Sequence, residues 1–360
     1  MTVVPFTEAY RGRRVLVTGH TGFKGSWLSL WLHLLGAEVT GVSREVFEDP
    51  SMFDLIGLAD LLGHHLADVR SPDSMATIID DIRPDLVFHL AAQPLVLRSY
   101  RDPVETFESN VMGTVHLLEA VRHQPSIRGV VVVTSDKVYR NEERTDGYVE
   151  TDHLGGHDPY SASKAAAEMV AHAYHRSFLA DSPTGLATAR AGNVIGGGDW
   201  AEDRIIADAV RAWTADTPVE VRRPDATRPW QHVLDPVEGY LRLGAALLKD
   251  QPGVDGGSFN FGPAAADQHT VADLLDTWSA HLQGSSWVRD PAADHAPAEA
   301  NLLHLDSSLA HSTLGWQPRF DFQTAVTETA AWYDAWRHDA DLRALTIEQI
   351  KRHSDLTWPG

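Results

Sequence analysis

The stretch R-R-V-L-V-T-G-H-T-G-F-K-G at residues 13–25 decides the fold of this 360-residue chain. Arg13–Thr18 is apolar enough to be a buried strand, and residues 26–35 carry apolar side chains at helical spacing. The glycines between them follow the order strand, G-x-x-G-x-x-G, helix. Glycines in this context let the backbone turn tightly and approach a pyrophosphate at the helix amino terminus. The stretch therefore predicts a dinucleotide-binding unit, and the alternative is a purely structural turn.

Further strand patterns, separated by helical patterns, follow this unit. The run Val130–Val133 suits a strand that is buried on both faces of a parallel sheet. The chain thus predicts an α/β fold, a Rossmann-type doubly wound parallel sheet with a smaller, mostly helical C-terminal substrate domain. We expect residues 1–192 and 233–262 to bind the cofactor, and residues 193–232 and 263–360 to bind the substrate. The other predicted strands are 38–42, 64–67, 86–90 and 185–190.

Composition excludes several classes of protein. The formal net charge of −20 argues against nucleic acid or an anionic membrane as the main partner. The chain has no cysteine, and its 19 histidines show no convincing ligand spacing, so we expect no metal site. No apolar stretch is long enough to span a bilayer, and no signal peptide is apparent. A cytoplasmic protein that binds a small molecule is expected.

Polar residues end the valine-rich strand at Thr134-Ser135-Asp136-Lys137. Ligands bind at the carboxyl ends of strands in open α/β sheets, so this segment is a candidate site. A second pair, Tyr160 and Lys164, is spaced four residues apart at the start of a predicted helix and shares one face of it. An ammonium beside a phenol favours the phenolate, so we expect Lys164 to lower the pKa of Tyr160 and make it a general base.

The end of the second strand leaves the cofactor open. NAD sites commonly place Asp or Glu there, on the ribose 2′-hydroxyl, whereas this chain has Ser43-Arg44. An arginine suits a 2′-phosphate, so NADP stays an alternative to NAD. Asp68, after the third strand, is a candidate for contact with the adenine. Asn110 is a candidate for holding the catalytic loops by hydrogen bonds.

Four motifs resemble the extended short-chain dehydrogenase/reductase family. They are T-G-H-T-G-F-K-G at 18–25, H-L-A-A-Q at 89–93, N-V-M-G-T at 110–114 and Y-S-A-S-K at 160–164. Further segments resemble the group of this family that dehydrates CDP-glucose at C4 and C6, among them T-S-D-K-V-Y at 134–139, N-V-I-G-G-G-D-W-A-E-D-R at 193–204 and R-P-W-Q-H-V-L at 228–234. Related dTDP-glucose dehydratases have Asp-Glu where this chain has Asp136-Lys137. The chain departs from the CDP-glucose group at Val138, where cysteine is common.

The resemblance implies an NAD-dependent hydro-lyase that converts CDP-glucose to CDP-4-keto-6-deoxyglucose through a transient NADH. In this reaction Tyr160, assisted by Lys164, removes the proton of the C4 hydroxyl, and Ser135 holds that hydroxyl. The resemblance makes Lys137 the base that removes the C5 proton and Asp136 the acid that protonates the C6 hydroxyl. Lys137 and Asp136 must be neutral for these roles. Burial favours that state and an ion pair opposes it. The resemblance also implies a homodimer held by a four-helix bundle, and an NAD-using group that itself lacks the acidic ribose residue.

Two alternatives remain open within this chemistry. A nucleotide-sugar 4-epimerase shares the glycine-rich loop and the Tyr160/Lys164 pair but needs no acid–base pair beside Ser135, and a 4,6-dehydratase could act on a different NDP-hexose. A catalytically silent dinucleotide-binding regulator is disfavoured, because it would be expected to lack Tyr160 or Lys164. The predicted substrate site comprises Gln93, Asn193, Arg204, Arg228 and His232. The predicted cofactor site comprises Gly19, His20, Thr21, Gly22, Phe23, Lys24, Gly25, Ser43, Arg44, Asp68, Val69, Leu90, Ala91, Ala92, Gln93, Asn110, Thr134, Tyr160, Lys164 and Arg190.

Overall fold

Strands of the computed structural model, which describes residues 6–264, 267–281, 285–290 and 303–354, form one large sheet and three short pairs. The strands are β1 (Arg14–Thr18), β2 (Glu38–Ser43), β3 (Gly63–Leu66), β4 (Leu86–His89), β5 (Gly129–Val133), β6 (Gly185–Ala191), β7 (Val194–Ile195), β8 (Val219–Val221), β9 (Thr227–Arg228), β10 (Gln231–His232), β11 (Ser258–Phe261), β12 (His269–Thr270) and β13 (Trp287–Arg289). The seven-stranded sheet has the order β11-β6-β5-β4-β1-β2-β3, and its strand pairs are parallel.

Helices cover this sheet and build the C-terminal part. They are α1 (Phe23–Leu34), α2 (Met52–Leu55), α3 (Pro72–Ile82), α4 (Val96–Arg101), α5 (Pro103–Phe107), α6 (Gly113–Val121), α7 (Pro159–Tyr174), α8 (Ile205–Thr214), α9 (Leu234–Leu248), α10 (Val271–Ser279), α11 (Ser308–Leu314), α12 (Phe322–Arg337) and α13 (Leu342–Ser354). A π-helical turn at Glu108–Met112 separates α5 from α6. None of the described helices is long and apolar enough to cross a membrane.

The strand order positions the site. β1 pairs with β2 on one side and with β4 on the other. The chain therefore adds strands on one side of β1 up to β3 and then crosses to its other side at β4, which reverses the strand order. Ligands bind in the crevice that opens at such a reversal, outside the carboxyl ends of the strands. The valine strand β5 lies inside the sheet between β4 and β6 and is buried along its whole length. The segment that follows β5 is therefore held at the rim of this crevice.

The predicted fold class is confirmed, and strand boundaries agree within about two residues. Helix α1 begins at Phe23, earlier than the predicted 26, because Gly22 is already its N-cap. In the region predicted to close the cofactor domain, α9 packs on the sheet and β11 extends it beside β6. Parts of the region predicted to bind substrate, at 265–266, 282–284, 291–302 and 355–360, lie outside the described residues.

Two hydrophobic clusters lie on the two faces of the sheet. One includes Trp27 and Trp31 of α1 together with side chains of α9 and α12. The other includes Leu117 and Leu118 of α6 and side chains of α3. Burial of this apolar surface fixes the helices against the sheet, and with them the loops that end its strands.

Candidate active site

A cleft of about 1130 Å³ opens at the carboxyl edge of the sheet. Its walls come from the glycine-rich loop at 19–25, the segments that follow β2 to β6, the start of α7, and residues 199–206 and 220–230. The last two segments lie beyond the sheet, in the region predicted to bind substrate. The cleft therefore brings the predicted cofactor and substrate residues to one place, apart from His20, Asn110, Arg190 and His232, which do not line it.

The glycine-rich loop has the geometry that a dinucleotide requires. Gly19 has φ +78°, and a Cβ there would lie 2.7 Å from the backbone nitrogen of Ala91. A Cβ on Gly25 would lie 2.0 Å from the carbonyl oxygen of Gly19. No side chain caps the amino end of α1, so its first N–H groups are available to an anion. These features fit the pyrophosphate of NAD.

The acid–base pair predicted after β5 is assembled in direct contact. The Ser135 hydroxyl donates to Asp136 Oδ1 at 2.8 Å, and Lys137 Nζ lies 3.3 Å from the same oxygen. Asp136 is 1% exposed, and among the described residues its Oδ2 has no hydrogen-bond partner. The Lys137 side chain is 35% exposed at the cleft. A carboxyl and an amine thus lie side by side at the cleft.

Tyr160 and Lys164 line the same cleft from the first turns of α7, which Asp158 caps. Burial raises the pKa of Tyr160, and Ser135 opposes the rise by hydrogen bonding. The pKa of Tyr160 is thus raised in this structure, where a lowered value was expected, because desolvation of the phenol is the largest cause of the shift. Burial also lowers the pKa of Lys164 to about 8, and its ammonium donates to the Val133 carbonyl at 3.3 Å.

Buried charged residues also line the cleft, and the sequence analysis selected Lys24 among them but neither Glu48 nor Asp199. Burial raises the pKa of Glu48 to about 7 and raises that of Asp199 above its ordinary value. Burial and then Arg204 lower the pKa of Lys24 to about 7, while Asp136 opposes this. Asp199 lies inside the recognised motif G-G-G-D-W, so a signal for it existed, whereas Glu48 follows β2 in a loop without a motif.

Asn110 and Gln93 form hydrogen bonds that hold the walls of the cleft together. The Asn110 amide accepts from the Gln93 backbone at 2.7 Å and donates to Ser163 of α7 at 2.8 Å. The Gln93 amide donates to Thr106 and to the Leu95 carbonyl, and its oxygen accepts from the Leu95 backbone. Gln93 lines the cleft, but its side chain is engaged within the protein. These bonds tie the segment after β4 to α5 and α7.

Arg190, predicted to bind cofactor, lies in the core instead. Its guanidinium pairs with the buried Glu168 carboxylate at 2.9 Å and donates to the Tyr139 hydroxyl at 2.8 Å. Glu168 also accepts from the hydroxyls of Thr134 and Thr188. This buried network fixes the end of β5 against α7 and β6. Arg190 therefore holds the residues that line the cleft in place and does not line it itself.

His20 and His232 are likewise buried. His20 lies behind the glycine-rich loop, where its Nδ1 is 3.0 Å from Ser43 Oγ and its Nε2 is 2.7 Å from His64 Nδ1. Burial lowers the pKa of His20 to about 4, so the ring is neutral. His232 is fully buried between Trp27 and Phe320, and its Nδ1 accepts from the Leu234 backbone. Both histidines hold backbone segments in place.

The substrate side of the cleft carries several cations and two tryptophans. Predicted residues Asn193, Arg204 and Arg228 line it, and so do Arg222 and Arg223. The indole rings of Trp200 and Trp230 complete this wall and are almost fully buried. Arginine side chains at a cleft suit the oxygens of a diphosphate. In the described ranges no group of His, Asp and Glu has the arrangement of a metal site.

Comparison with known proteins agrees with this geometry. The model of the GDP-mannose 4,6 dehydratase family matches residues 16–329. A curated CDP-glucose 4,6-dehydratase from Salmonella typhimurium is 43% identical over 357 residues, which cover 97% of this chain and 98% of that protein. A dTDP-glucose 4,6-dehydratase from Streptomyces antibioticus is 30% identical over 89% of this chain and 92% of its own.

A solved structure of the UDP-glucose 4-epimerase from Thermus thermophilus in complex with NAD superposes with a TM-score of 0.75 at 25% identity, covering 89% of this chain and 99% of the epimerase. The glycine-rich loop, Ser135, Tyr160 and Lys164 all lie in the part of the chain that the family model matches, and the Salmonella relative is matched over nearly the full length of both proteins. The chain belongs to the GDP-mannose 4,6 dehydratase family, within the extended short-chain dehydrogenases/reductases.

Proposed function

We propose that the chain is an NAD-dependent 4,6-dehydratase that converts CDP-glucose to CDP-4-keto-6-deoxyglucose with loss of water. The contact between Asp136 and Lys137, directly beside Ser135 at the cleft, is the observation that carries this proposal. Oxidation and reduction at C4 alone require only a proton acceptor and a hydride carrier. Elimination of water also requires a base at C5 and an acid at C6, and this pair supplies both.

NAD would be held by the glycine-rich loop and by the small residues Ala91 and Ala92 at the end of β4. When bound, NAD would supply the hydride acceptor for C4 of the sugar and the hydride donor for C6. Tyr160 accepts the proton of the C4 hydroxyl, which Ser135 orients. The lowered pKa of Lys164 keeps a readily exchanged proton close to Tyr160. Because burial raises the pKa of Tyr160, we expect C4 oxidation to accelerate as pH rises through neutrality.

The elimination step follows from the geometry of the pair. Once C4 is a ketone, the hydrogen on C5 is acidic, and the neutral amine of Lys137 removes it. Asp136 in its protonated form donates to the C6 hydroxyl, which leaves as water. When the hydride reaches C6, the Lys137 ammonium returns its proton to C5. The proton that Tyr160 took from the C4 hydroxyl replaces, through solvent, the one that Asp136 gave to the leaving water. The 3.3 Å separation of Lys137 Nζ and Asp136 Oδ1 keeps the base and the acid at adjacent carbons of the sugar, and all three residues return to their starting states.

The nucleotide end of the substrate is assigned from the cations of the cleft. Arg228, Arg204 and Asn193 would bind the diphosphate. The cytidine base is inferred from the 43% identical Salmonella relative, whose name states CDP-glucose.

The test is incubation of the purified chain with NAD and CDP-glucose deuterated at C4. Mass spectrometry should show loss of water and retention of the label, now on C6. The substrates dTDP-glucose and GDP-mannose should react more slowly. An epimerase would instead yield CDP-galactose with no loss of mass, and that product would overturn the proposal.

A pair of matched lysine variants isolates the elimination step. Lys137→Met should lower the rate of water loss by about 10²–10⁴, the usual contribution of a general base, while single-turnover C4 oxidation survives. The control is Lys351→Met, since Lys351 also lies 3.3 Å from a neighbouring carboxylate, that of Glu348, but on α13. It should react like the parent chain. Full dehydratase turnover by Lys137→Met would contradict the assigned base.

We also propose a homodimer in the cytoplasm. Helix α5, the π-helical turn and α6 follow one another along the chain and pack against α7, so each copy contributes two helical segments. These segments expose Phe107, Met112 and Met169, which are 41%, 43% and 55% exposed. Two copies could cover these side chains as a four-helix bundle. Light scattering at micromolar concentration should give twice the chain mass, and the double variant Phe107→Asp/Met169→Asp should halve it. A monomeric parent would contradict the dimer.

A further inference from the structure

The rim of the cleft after β2 carries a chain of ion pairs that the catalytic proposal does not use. Arg44 follows β2, and its Nη1 lies 2.9 Å from Oε1 of Glu105 on α5. Its Nε lies 2.7 Å from Oε1 of Glu45. Arg98 of α4 holds the other oxygen of Glu105 at 2.8 Å, and its guanidinium lies 4.7 Å above the ring of Phe47. These five residues all line the cleft.

The location of this chain of ion pairs is the end of the strand at which dinucleotide enzymes distinguish their cofactors. A carboxylate there binds the 2′-hydroxyl of NAD, and an arginine accommodates the 2′-phosphate of NADP. The residue that ends β2 is Ser43, whose hydroxyl oxygen accepts from the Thr21 backbone at 3.3 Å and contacts His20 Nδ1 at 3.0 Å. The Ser43 side chain is therefore engaged with the glycine-rich loop. Arg44 and its ion-pair partners set the charge near the 2′-substituent of a bound ribose.

We propose that Glu105 is the residue that makes this site reject a 2′-phosphate and select NAD. The Arg44 guanidinium is the group that a 2′-phosphate would need, yet two carboxylates already occupy its donors. Counted together, Arg44 and Arg98 are balanced by Glu45 and Glu105, so the rim offers a dianionic phosphate no net positive charge. A phosphate that displaced Glu105 from Arg44 would also strip Arg98 of its partner.

Glu105 is suited to this role because its position is fixed. Asp102 caps α5 by accepting from the Glu105 backbone at 3.0 Å, so the side chain leaves the helix from a defined point. The Glu105 side chain is only 13% exposed, whereas that of Glu45 is 49% exposed. Solvent weakens the pair made by Glu45 far more than the pair made by Glu105. Specificity therefore depends mainly on the residue that comes from α5, 61 positions away from Arg44.

The inference rests on the proposed NAD-dependent function, and binding measurements separate the two. Titration of the full chain with NAD and with NADP, followed by tryptophan fluorescence and calorimetry, gives the ratio of the two dissociation constants without any turnover. The parent should bind NAD at least tenfold more tightly. In Glu105→Gln the ratio of the NADP constant to the NAD constant should fall by tenfold or more, because Arg44 and Arg98 become available to the phosphate.

Three further variants define the outcome. Arg44→Met combined with Glu105→Gln should restore the preference of the parent for NAD. Glu45→Gln should shift the ratio in the same direction as Glu105→Gln but less, and it tests the reasoning even if Glu105→Gln does not fold. Asp250→Asn is the matched control, since Asp250 pairs with Arg128 at the opposite edge of the sheet and should leave the ratio unchanged.

Two results would overturn the inference. A parent that binds NAD, with a ratio that neither Glu105→Gln nor Glu45→Gln lowers, refutes the role of the carboxylates and leaves the dehydratase proposal standing. A parent that binds neither dinucleotide refutes the proposed function and the inference together.

Discussion

Lowering the pH from 7.5 to 5.5 should destabilise the chain through His89, the last residue of β4. His89 is 2% exposed, and burial, followed by repulsion from Lys164, lowers its pKa to about 3. Its Nδ1 lies 2.8 Å from Thr18 Oγ1, and its Nε2 lies 3.2 Å from Thr114 Oγ1. Thr114 donates its own hydrogen to the Asn110 carbonyl, so its oxygen accepts from Nε2–H, and Nδ1 is left as the acceptor for Thr18. Protonation at Nδ1 would remove that acceptor.

The size and sign of the effect follow from proton linkage. An unfolded histidine has a pKa near 6.5, whereas folded His89 stays neutral down to about 3. Below pH 6.5 the unfolded chain therefore binds more protons than the folded chain, and stability falls as pH falls. Between pH 7.5 and 5.5 the free energy of unfolding therefore falls by about 1.4 kcal/mol through this one residue, the equivalent of about one pKa unit.

Urea unfolding followed by tryptophan fluorescence at the two pH values measures this term. His89→Gln removes the titrating group, so its free energy of unfolding should change with pH by about 1.4 kcal/mol less than that of the parent. His311→Gln, at an exposed position, is the control and should keep the pH dependence of the parent. The reasoning is refuted if parent and His89→Gln lose the same free energy on acidification.

Three further changes test other parts of the site. Gly25→Ala should weaken dinucleotide binding at least tenfold, because its Cβ would meet the Gly19 carbonyl oxygen at 2.0 Å, and a fluorescence titration with NADH would measure the loss. Glu168→Gln should lower the free energy of unfolding by about 3–5 kcal/mol in urea, because Arg190 would remain charged in the core without its partner; a loss below 1 kcal/mol would contradict this. Glu48→Gln should stabilise the chain at pH 8 by up to roughly 3 kcal/mol, since the raised pKa means that ionisation of Glu48 above its unfolded pKa of 4.5 opposes folding. That gain should vanish near pH 4.5, and an equal gain at both pH values would show that charge is not its cause.

Local sequence patterns were sufficient to predict the fold and to select the five candidate catalytic residues that line one cleft, Ser135, Asp136, Lys137, Tyr160 and Lys164. The strand, glycine and helix order at 13–25, the valine run and the spacing of Tyr160 and Lys164 depend only on neighbouring residues. The parallel sheet then brings strand ends to one edge, so the polar residues after β5 had to meet the glycine-rich loop. The same local reasoning failed for Arg190. Alternation within β6 shows which of its residues share a face of the sheet. It does not show that Glu168 and Tyr139, from other segments, lie beside Arg190 and bind its guanidinium.

The sequence by itself thus determined the Rossmann-type sheet, the family and the presence of a carboxyl and an amine beside Ser135, because each depends on residues that are close together along the chain. Only the tertiary structure decided which carboxylates neutralise Arg44 and Arg98 at the rim of the cleft, and in which direction the pKa values of the cleft residues shift. Arg44 and Glu105 meet across 61 residues, and the neutral state of His89 depends on burial beneath α6 and α7. Charge and desolvation act through space, so their effects become definite only once the chain has folded.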